Sequence, residues 1–427
     1  MELVKNHDAI SVIGLGKVGS AILATYAAQN VLVYGYDTDE SVVDSLKLSR
    51  AKVSEKYVDE LLLEHRNNIV LTGSIFEAIN KSDFTFVILP TPSDIDHKFS
   101  NSFLIEACKE IASTLISKKG FHTICVSSTV MPGTLRTTIL PLVEKISGKK
   151  EGIDFGVAYS PEFIALGNIV NNLINPDLIL IGNTNNRTYE EVAKVKSKIL
   201  KTRNLINLTF DEAEIVKLSI NSFITMKISF ANMIGEIADK NRYSNKFRVL
   251  DAIGSDSRIG SKFIRPGLGY GGPCFPRDNK AMSSYSIDVG VESLLPIATD
   301  LINDRQVQII VDTVVQTMEY KSGSILFLGV TYKEETGSIE ESQVVKIGET
   351  LIDLGHQVYF HDFNLDNYSY SKMIGFQRIQ NFDEVDFNKF DLIVFSQKEE
   401  GYRVVHDLIN KEKSRIMDLW GLFNVNS

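Results

Sequence analysis

The stretch AISVIGLGKVGSAILATYAAQNVLVYGYD, Ala9 to Asp37, decides the fold. AISVI is an apolar run of strand length, and Gly14-Leu15-Gly16-Lys17-Val18-Gly19 follows it directly. SAILATYAAQ then reads as a helix, VLVYGY as a second strand, and Asp37 closes that strand 18 residues after Gly19. Alone, GxGxxG is a weak signal. Set between a strand and a helix, with an acid ending the next strand, it is the dinucleotide-binding fingerprint. The glycines let the backbone and the helix N-terminus approach a pyrophosphate. Asp37 would accept hydrogen bonds from the adenosine ribose hydroxyls and repel a 2′-phosphate, which favours NAD over NADP. The plain alternative is a glycine-rich turn in a Rossmann-like fold without cofactor.

Working outward, FTFVILPTP, TICVSSTV, FGVAYSPEF and PDLILIGN read as further strands, with helix-length amphipathic segments such as 101–117 between several of them. Strands alternating with helices imply a parallel sheet wound on both faces. That region ends near residue 208. TFDEAEIVKLSINSFITMKISFANMIGEIADKN follows with no proline and one glycine, a long helix whose start carries Thr209 and Glu212 at capping-box spacing. VESLLPIATDLINDRQVQIIVDTVVQTM reads as another long helix, kinked or started at Pro296. Strand–helix alternation then returns with SILFLGVTYK, SQVVKIGETLIDLG, HQVYFHDF, FDLIVFSQ and SRIMDLW. The expected α/β architecture is two Rossmann-like domains, 1–208 and 321–427, joined by the long central helix and a helical middle domain, 209–320.

Bulk properties narrow the function classes. The chain has 427 residues, a length for two or three domains, and a net charge of −9 with both signs mixed. No basic block suits nucleic acid, and no polybasic tail suits a membrane. No window approaches the ~18–20 apolar residues of a membrane span, and MELVKNHDAISVIGLG lacks a signal-peptide pattern. Three cysteines, Cys108, Cys125 and Cys274, are too few and too scattered for a disulfide framework or a CxxC metal site. The expectation is a cytoplasmic protein without a metal.

Three other places could carry chemistry. Lys217 and Asn221 stand four apart on the long helix and share a face; as an ordinary solvated pair they would mean nothing unless that face meets a cleft. Glu162 of SPEF follows a strand at the sheet edge where open α/β sheets bind ligands, although a loop acid facing solvent is the commoner case. Cys274 lies in RPGLGYGGPCFPRDN, Arg265 to Asn279, among glycines that permit close backbone approach, with Arg277 and Asp278 next. A neighbouring cation lowers a thiol pKa and a carboxylate can take protons. The alternative is a packed cysteine in a tight loop, the reading given to Cys108 and Cys125.

Taken together, VIGLGKVG, LPTP, SSTVMPGT, SPEF, EIVKLSINSF, DSRIGSKFIRPGLGYGGPCFPRDN and LGVTYKEETGSIEES resemble, in order and over nearly the whole chain, the UDP-glucose/GDP-mannose dehydrogenase family. The resemblance implies oxidation of the C6 alcohol of a nucleotide sugar to a carboxylate with two NAD⁺ and no release of the aldehyde. It implies that the Cys274 thiolate forms a thiohemiacetal and then a thioester. Lys217 would stabilise the C6 oxyanion, Asn221 would orient the same oxygen, Asp278 with a water and Thr129 would shuttle protons, and Glu162 would be the base for thioester hydrolysis. NAD would be held by Gly14, Leu15, Gly16, Lys17, Val18, Gly19, Asp37, Pro90, Thr91, Ser128 and Thr129. The nucleotide sugar would meet Phe163, Lys217, Asn221, Phe263, Arg265, Gly269, Tyr270, Gly271 and Lys333. Arg258 would reach it across a homodimer interface, in a dimer built on the long helix. SPEF and DSRIG look more like the UDP-glucose branch than the acetamido-sugar branch, with GDP-mannose and UDP-N-acetyl-hexosamines as alternative substrates.

The sequence departs from the UDP-glucose branch at four places. Val42 stands where an adenosine-contacting arginine is usual, Leu166 where a second glutamate is, and Glu340 where an arginine is. Trp420-Gly421 replaces an arginine pair that the resemblance places against the sugar nucleotide.

Overall fold

The computed structural model describes residues 9–53, 55–201, 204–409 and 414–423. The chain divides into two compact units, residues 1–217 and 218–427.

The first unit carries strands β1 (Ile10–Ile13), β2 (Val33–Tyr36), β3 (Ile69–Leu71), β4 (Phe84–Val87), β5 (His122–Val126), β6 (Phe155–Tyr159), β7 (Ile179–Gly182) and β8 (Leu205–Leu208). They form one sheet in the order β3-β2-β1-β4-β5-β6-β7-β8. Every pair is parallel except β6 with β7. β1, β4, β5, β6 and β7 are buried at every residue. Helices cover both faces, which is why these strands read as continuous apolar runs rather than alternating ones. The two faces feed separate cores. Ile10, Val12, Phe84, Phe86, Cys125 and Ala158 pack on one side with the helix Lys17–Ala27. Ile13, Val87, Ile124, Val126 and Val157 pack on the other with the helix Ser102–Leu115. The edge strands β3 and β8 lack a fully buried residue.

The helix Phe210–Asp239 runs for 30 residues through the boundary between the units. The capping box at its start forms as the spacing predicts: Thr209 N donates to Glu212 Oε2 at 2.7 Å, and Glu212 N to Thr209 Oγ1 at 3.4 Å.

In the second unit the helices Lys246–Ser255, Phe275–Asp288 and Leu294–Thr317 precede a second sheet. Its strands are β9 (Ser324–Leu328), β10 (Gln357–His361), β11 (Gln377–Arg378), β12 (Leu392–Phe395) and β13 (Arg415–Asp418), all parallel in the order β11-β10-β9-β12-β13. Pro296 does not start the helix that contains it. That helix begins at Leu294, and proline falls in the first turn, where its missing N–H costs no helical bond.

Each unit repeats one device at the head of its sheet. Gly14 N donates to the Tyr36 carbonyl at 2.9 Å and Leu15 N to Asp37 Oδ2 at 2.6 Å. In the second sheet Gly329 N donates to the His361 carbonyl at 2.8 Å and Val330 N to Asp362 Oδ2 at 2.8 Å. Both glycines hold positive φ, 91° and 98°. Asp362 takes further bonds from Thr331 N, Thr331 Oγ1 and Asn364 N and is buried, so it serves as an internal lock. Asp37 is only partly buried and faces a cavity.

Candidate active site

In the first unit the strand order reverses between β1 and β4, and a cavity of ≈ 580 Å³ opens at their carboxyl ends. Gly14, Gly16, Lys17, Val18, Gly19, Asp37 and Pro90 line it. The three glycines answer three constraints. A Cβ on Gly14 would strike the Ile88 carbonyl, and one on Gly19 would strike the Gly14 carbonyl. A Cβ on Gly16 would meet nothing within 4 Å, so this glycine leaves the backbone open to a ligand. Fixed turn, tight helix–strand contact and an open approach are what a pyrophosphate at this helix N-terminus needs. Asp37 Oδ1 accepts from Asp39 N at 2.8 Å, and each of its oxygens keeps a lone pair for a ribose hydroxyl.

Leu15, Thr91, Ser128 and Thr129 do not line this cavity. Leu15 is buried in the core. Ser128 Oγ donates to the Leu89 carbonyl and accepts from Leu89 N, both at 2.8 Å, and Thr91 Oγ1 donates to the Thr129 carbonyl at 2.6 Å. Sequence reasoning missed Tyr36, Phe103, Ala107 and Glu110 in the lining. Burial, then the charges of Glu110 and Asp37, raises the Tyr36 pKa and keeps its hydroxyl protonated. The spacing of Phe103, Ala107 and Glu110 marks one helical stripe and was a readable signal. Val42 is buried against the same cavity, an apolar wall where the UDP-glucose branch has an arginine.

The SPEF segment organises the rest of this unit's chemistry. Ser160 N donates to the Val126 carbonyl at 2.9 Å, tying the segment to β5. The Glu162 carbonyl accepts from Lys217 Nζ at 2.8 Å, and that ammonium sits 4.5 Å from the Phe163 ring centroid. The Glu162 carboxylate points elsewhere, into an ion pair with Lys196, whose side chain is only 4% exposed. Leu166 packs against the first core. One turn before Lys217, buried Glu214 accepts from Gly133 N at 2.6 Å and Leu135 N at 3.0 Å, fixing the loop that follows Thr129. Burial is the main reason its pKa rises to about 7.

In the second unit Cys274 is exposed and is the N-cap of the helix Phe275–Asp288. A helix N-terminus favours negative charge beside it, as a thiolate requires. Cys108 and Cys125 are fully buried, and burial pushes both thiols up to about 12. Asp278, one turn into the helix and 1% exposed, accepts from Asn221 Nδ2 at 2.7 Å. Arg277 Nε lies 3.4 Å from its other oxygen.

The glycine loop before Cys274 is gripped by buried amide side chains that sequence reasoning missed. Asn232 accepts from Gly267 N, Gln343 from Gly269 N and Asn303 from Tyr270 N. Gln306 donates to the Gly267 carbonyl and Asn303 to that of Tyr270. A Cβ on Gly267 would strike the Trp420 ring, one on Gly269 would strike Asn303 and Gln343, one on Gly271 the Glu341 carbonyl, and one on Gly272 the Tyr332 ring. Packing within the unit therefore already demands these glycines. Tyr270 is buried and its hydroxyl donates to Asp300. Phe263 is exposed with a left-handed φ of 64°, a conformation uncommon for a bulky residue. Arg265 Nε donates to the Trp420 carbonyl at 3.0 Å. Lys398 Nζ lies 4.2 Å from the Trp420 ring centroid, so a cation still stands beside the position where an arginine is missing. The Glu340 carbonyl accepts from Gly272 N at 2.9 Å. Lys333 is exposed, and the Arg258 side chain is 87% exposed and paired with Asp256.

Comparison with known proteins points one way. Three models of the UDP-glucose/GDP-mannose dehydrogenase family match: the NAD binding domain over residues 8–200, the central domain over 211–305 and the UDP binding domain over 326–425. The UDP-glucose 6-dehydrogenase of Haloferax volcanii is 32% identical over 356 residues, 83% of each chain. The GDP-mannose 6-dehydrogenase of Pseudomonas savastanoi pv. phaseolicola is 29% identical over 429 residues, 96% of each chain. Among solved structures, a UDP-glucose dehydrogenase from Pyrobaculum islandicum aligns with a TM-score of 0.87 at 25% identity, over 99% of this chain and 96% of that one. Among the described residues no helix is long and apolar enough to cross a membrane.

Proposed function

The chain belongs to the UDP-glucose/GDP-mannose dehydrogenase family and is an NAD-dependent nucleotide-sugar dehydrogenase, and on that premise we propose that it oxidises the C6 hydroxyl of a nucleotide sugar, UDP-glucose first among them, through the aldehyde to the carboxylate. The observation that carries this reading is Cys274, exposed at a helix N-terminus one turn from the buried carboxylate of Asp278.

Bound NAD⁺ supplies the hydride acceptor, one equivalent for each two-electron oxidation. Asp278 and Thr129 handle the C6 hydroxyl proton through water, and Lys217 and Asn221 stabilise the oxygen left behind. The Cys274 thiolate adds to the aldehyde carbon: an S–C bond forms and the carbonyl electrons move to oxygen, where Lys217 meets the charge. Loss of a second hydride from that carbon gives a thioester. Water then breaks the S–C bond, yielding the carboxylate and returning the thiolate. Glu162, whose carboxylate pairs with Lys196, would be the base for that hydrolysis.

A homodimer is part of the same reading. Phe223, Phe230 and Ile237 recur at seven-residue spacing on the long helix and are 60%, 39% and 60% exposed, a stripe a second copy would cover. Arg258 would reach from one subunit to the partner's substrate, in the cytoplasm. Sedimentation of Phe230→Lys tests the assembly; an unchanged mass removes it.

GDP-mannose is the second reading, favoured by the match to a GDP-mannose 6-dehydrogenase over 96% of each chain. The deciding experiment offers UDP-glucose, UDP-N-acetyl-hexosamines and GDP-mannose with NAD⁺ and counts NADH per sugar consumed. Two NADH from one of them is expected. A ratio near one rules out the double oxidation.

A further inference from the structure

Glu162 binds two lysines by two different groups. Its carboxylate pairs with Lys196 and its carbonyl holds Lys217. Lys196 ends the helix Asn186–Lys196 and is 3% exposed. The Phe86 ring centroid is 5.3 Å from Nζ. The Tyr26 hydroxyl, buried and close enough to feel the Glu162 charge, has no hydrogen-bond partner among the described residues. The Cys125 thiol, which senses both charges, is kept protonated by burial. Among the described residues neither Glu162 nor Lys196 makes a second ion pair. A buried charge with a single partner is held to that partner strongly, because separating them leaves each uncompensated in an apolar setting.

We propose that Lys196 is a positioning residue for Lys217, acting through Glu162 as a strut. The Lys196 ammonium anchors the Glu162 side chain. That fixes the peptide group whose carbonyl holds the Lys217 ammonium, while the next residue, Phe163, lays its ring against the same group. The strut sets where Lys217 stands when the C6 oxygen becomes negative. On this assignment Glu162 acts already at the first hydride transfer, apart from any part its carboxylate takes in the later hydrolysis. The inference rests on the role proposed above for Lys217.

The two roles stop the reaction at different points, which a first-turnover count of NADH per active site reads directly. Lys196→Met, Glu162→Gln and the double variant are mixed with NAD⁺ and the sugar accepted by the wild-type protein. The strut predicts that each single variant slows the first NADH phase by roughly 100-fold, the scale of a displaced catalytic group, and that the double variant is no slower than the singles. Lys196→Arg, which keeps the charge, should restore most of that phase. The proposal is overturned if Glu162→Gln releases two NADH at the normal rate and then stalls, if the single effects multiply in the double variant, or if Lys196→Arg is as slow as Lys196→Met. Should Lys196→Met not fold, Glu162→Gln and Lys196→Arg decide alone. A wild-type count of one NADH per sugar would instead fail the double oxidation and leave the first-phase comparison intact.

Discussion

Asn221 donates from Nδ2 to the carboxylate of Asp278 across 2.7 Å, joining two helices at residues 57 apart in the chain. Asp278 is 1% exposed and Asn221 9%. The bond holds the carboxylate one helical turn from Cys274 and satisfies a buried charge that would otherwise be costly.

Asn221→Ala leaves Asp278 with Arg277 at 3.4 Å as its nearest charged neighbour. Urea unfolding should show a loss of about 1–3 kcal/mol. Turnover should fall more than ~10-fold, because the carboxylate loses its orientation. Asp278→Asn keeps the shape and removes the charge, so it should cost less stability and more activity. Equal effects on both measures in both variants would argue against a chemical role.

Gly14→Ala and Gly16→Ala should separate fold from cofactor. Gly14 has φ 91° and an occupied Cβ position, so alanine there should cost at least ~2 kcal/mol. Gly16→Ala meets no protein atom within 4 Å, and its stability should stay within about 0.5 kcal/mol of wild type. It should instead raise the KM for NAD⁺, since the added methyl fills the approach to the backbone. Thermal melts with and without NAD⁺ distinguish the two.

Iodoacetamide at pH 8 should label Cys274 in the folded protein and spare Cys108 and Cys125. The latter are fully buried with thiols pushed up to about 12, and only thiolates react. Peptide mass mapping reads the order of labelling, and all three sites should react in denaturant. Nucleotide sugar should slow the Cys274 reaction. Cys274→Ser should stall after the aldehyde or turn over very slowly; normal turnover would remove the thioester.

Glu214 should impose a measurable pH dependence on stability. Its folded pKa, about 7, lies above the ordinary 4.5, because desolvation outweighs the bonds from Leu135 and Gly133. A raised carboxyl pKa means the folded state binds its proton more tightly than the unfolded state. The benefit is full below about 4.5 and is lost as pH rises through about 7. The span is at most about 3 kcal/mol. Comparing urea midpoints of wild type and Glu214→Gln from pH 4.5 to 8 should show this component in the wild type and its absence in the variant.

Much of the architecture was legible in one dimension. The central strands announced themselves as apolar runs because both faces of their sheets are covered, and Thr209 with Glu212 marked the long helix to within a residue. The strands not foreseen, β3, β8 and β11, are all sheet edges. These three are short, two to four residues, and not fully buried, so each leaves too short a pattern to tell a strand from a loop. The second glycine–acid lock, Gly329 with Asp362, carried the same strand–glycine signal as Gly14 with Asp37 and could have been read.

By itself the sequence determined where the backbone must bend and which segments must be buried. Those are local demands: a positive φ needs glycine, a covered strand needs apolar residues, a helix start needs a cap. It also determined the reactive residue types, Cys274, Asp278 and Lys217. Only the tertiary structure decided their partners. Glu162 finds Lys196 34 residues on, and Gly269 finds Gln343 74 residues on. Asn232, Asn303, Gln306 and Gln343 look like ordinary helix-surface amides until the fold buries them against the glycine loop. A polar side chain buried far from water must bond whatever the fold brings within about 3 Å, and no periodicity along the chain records which residue that is.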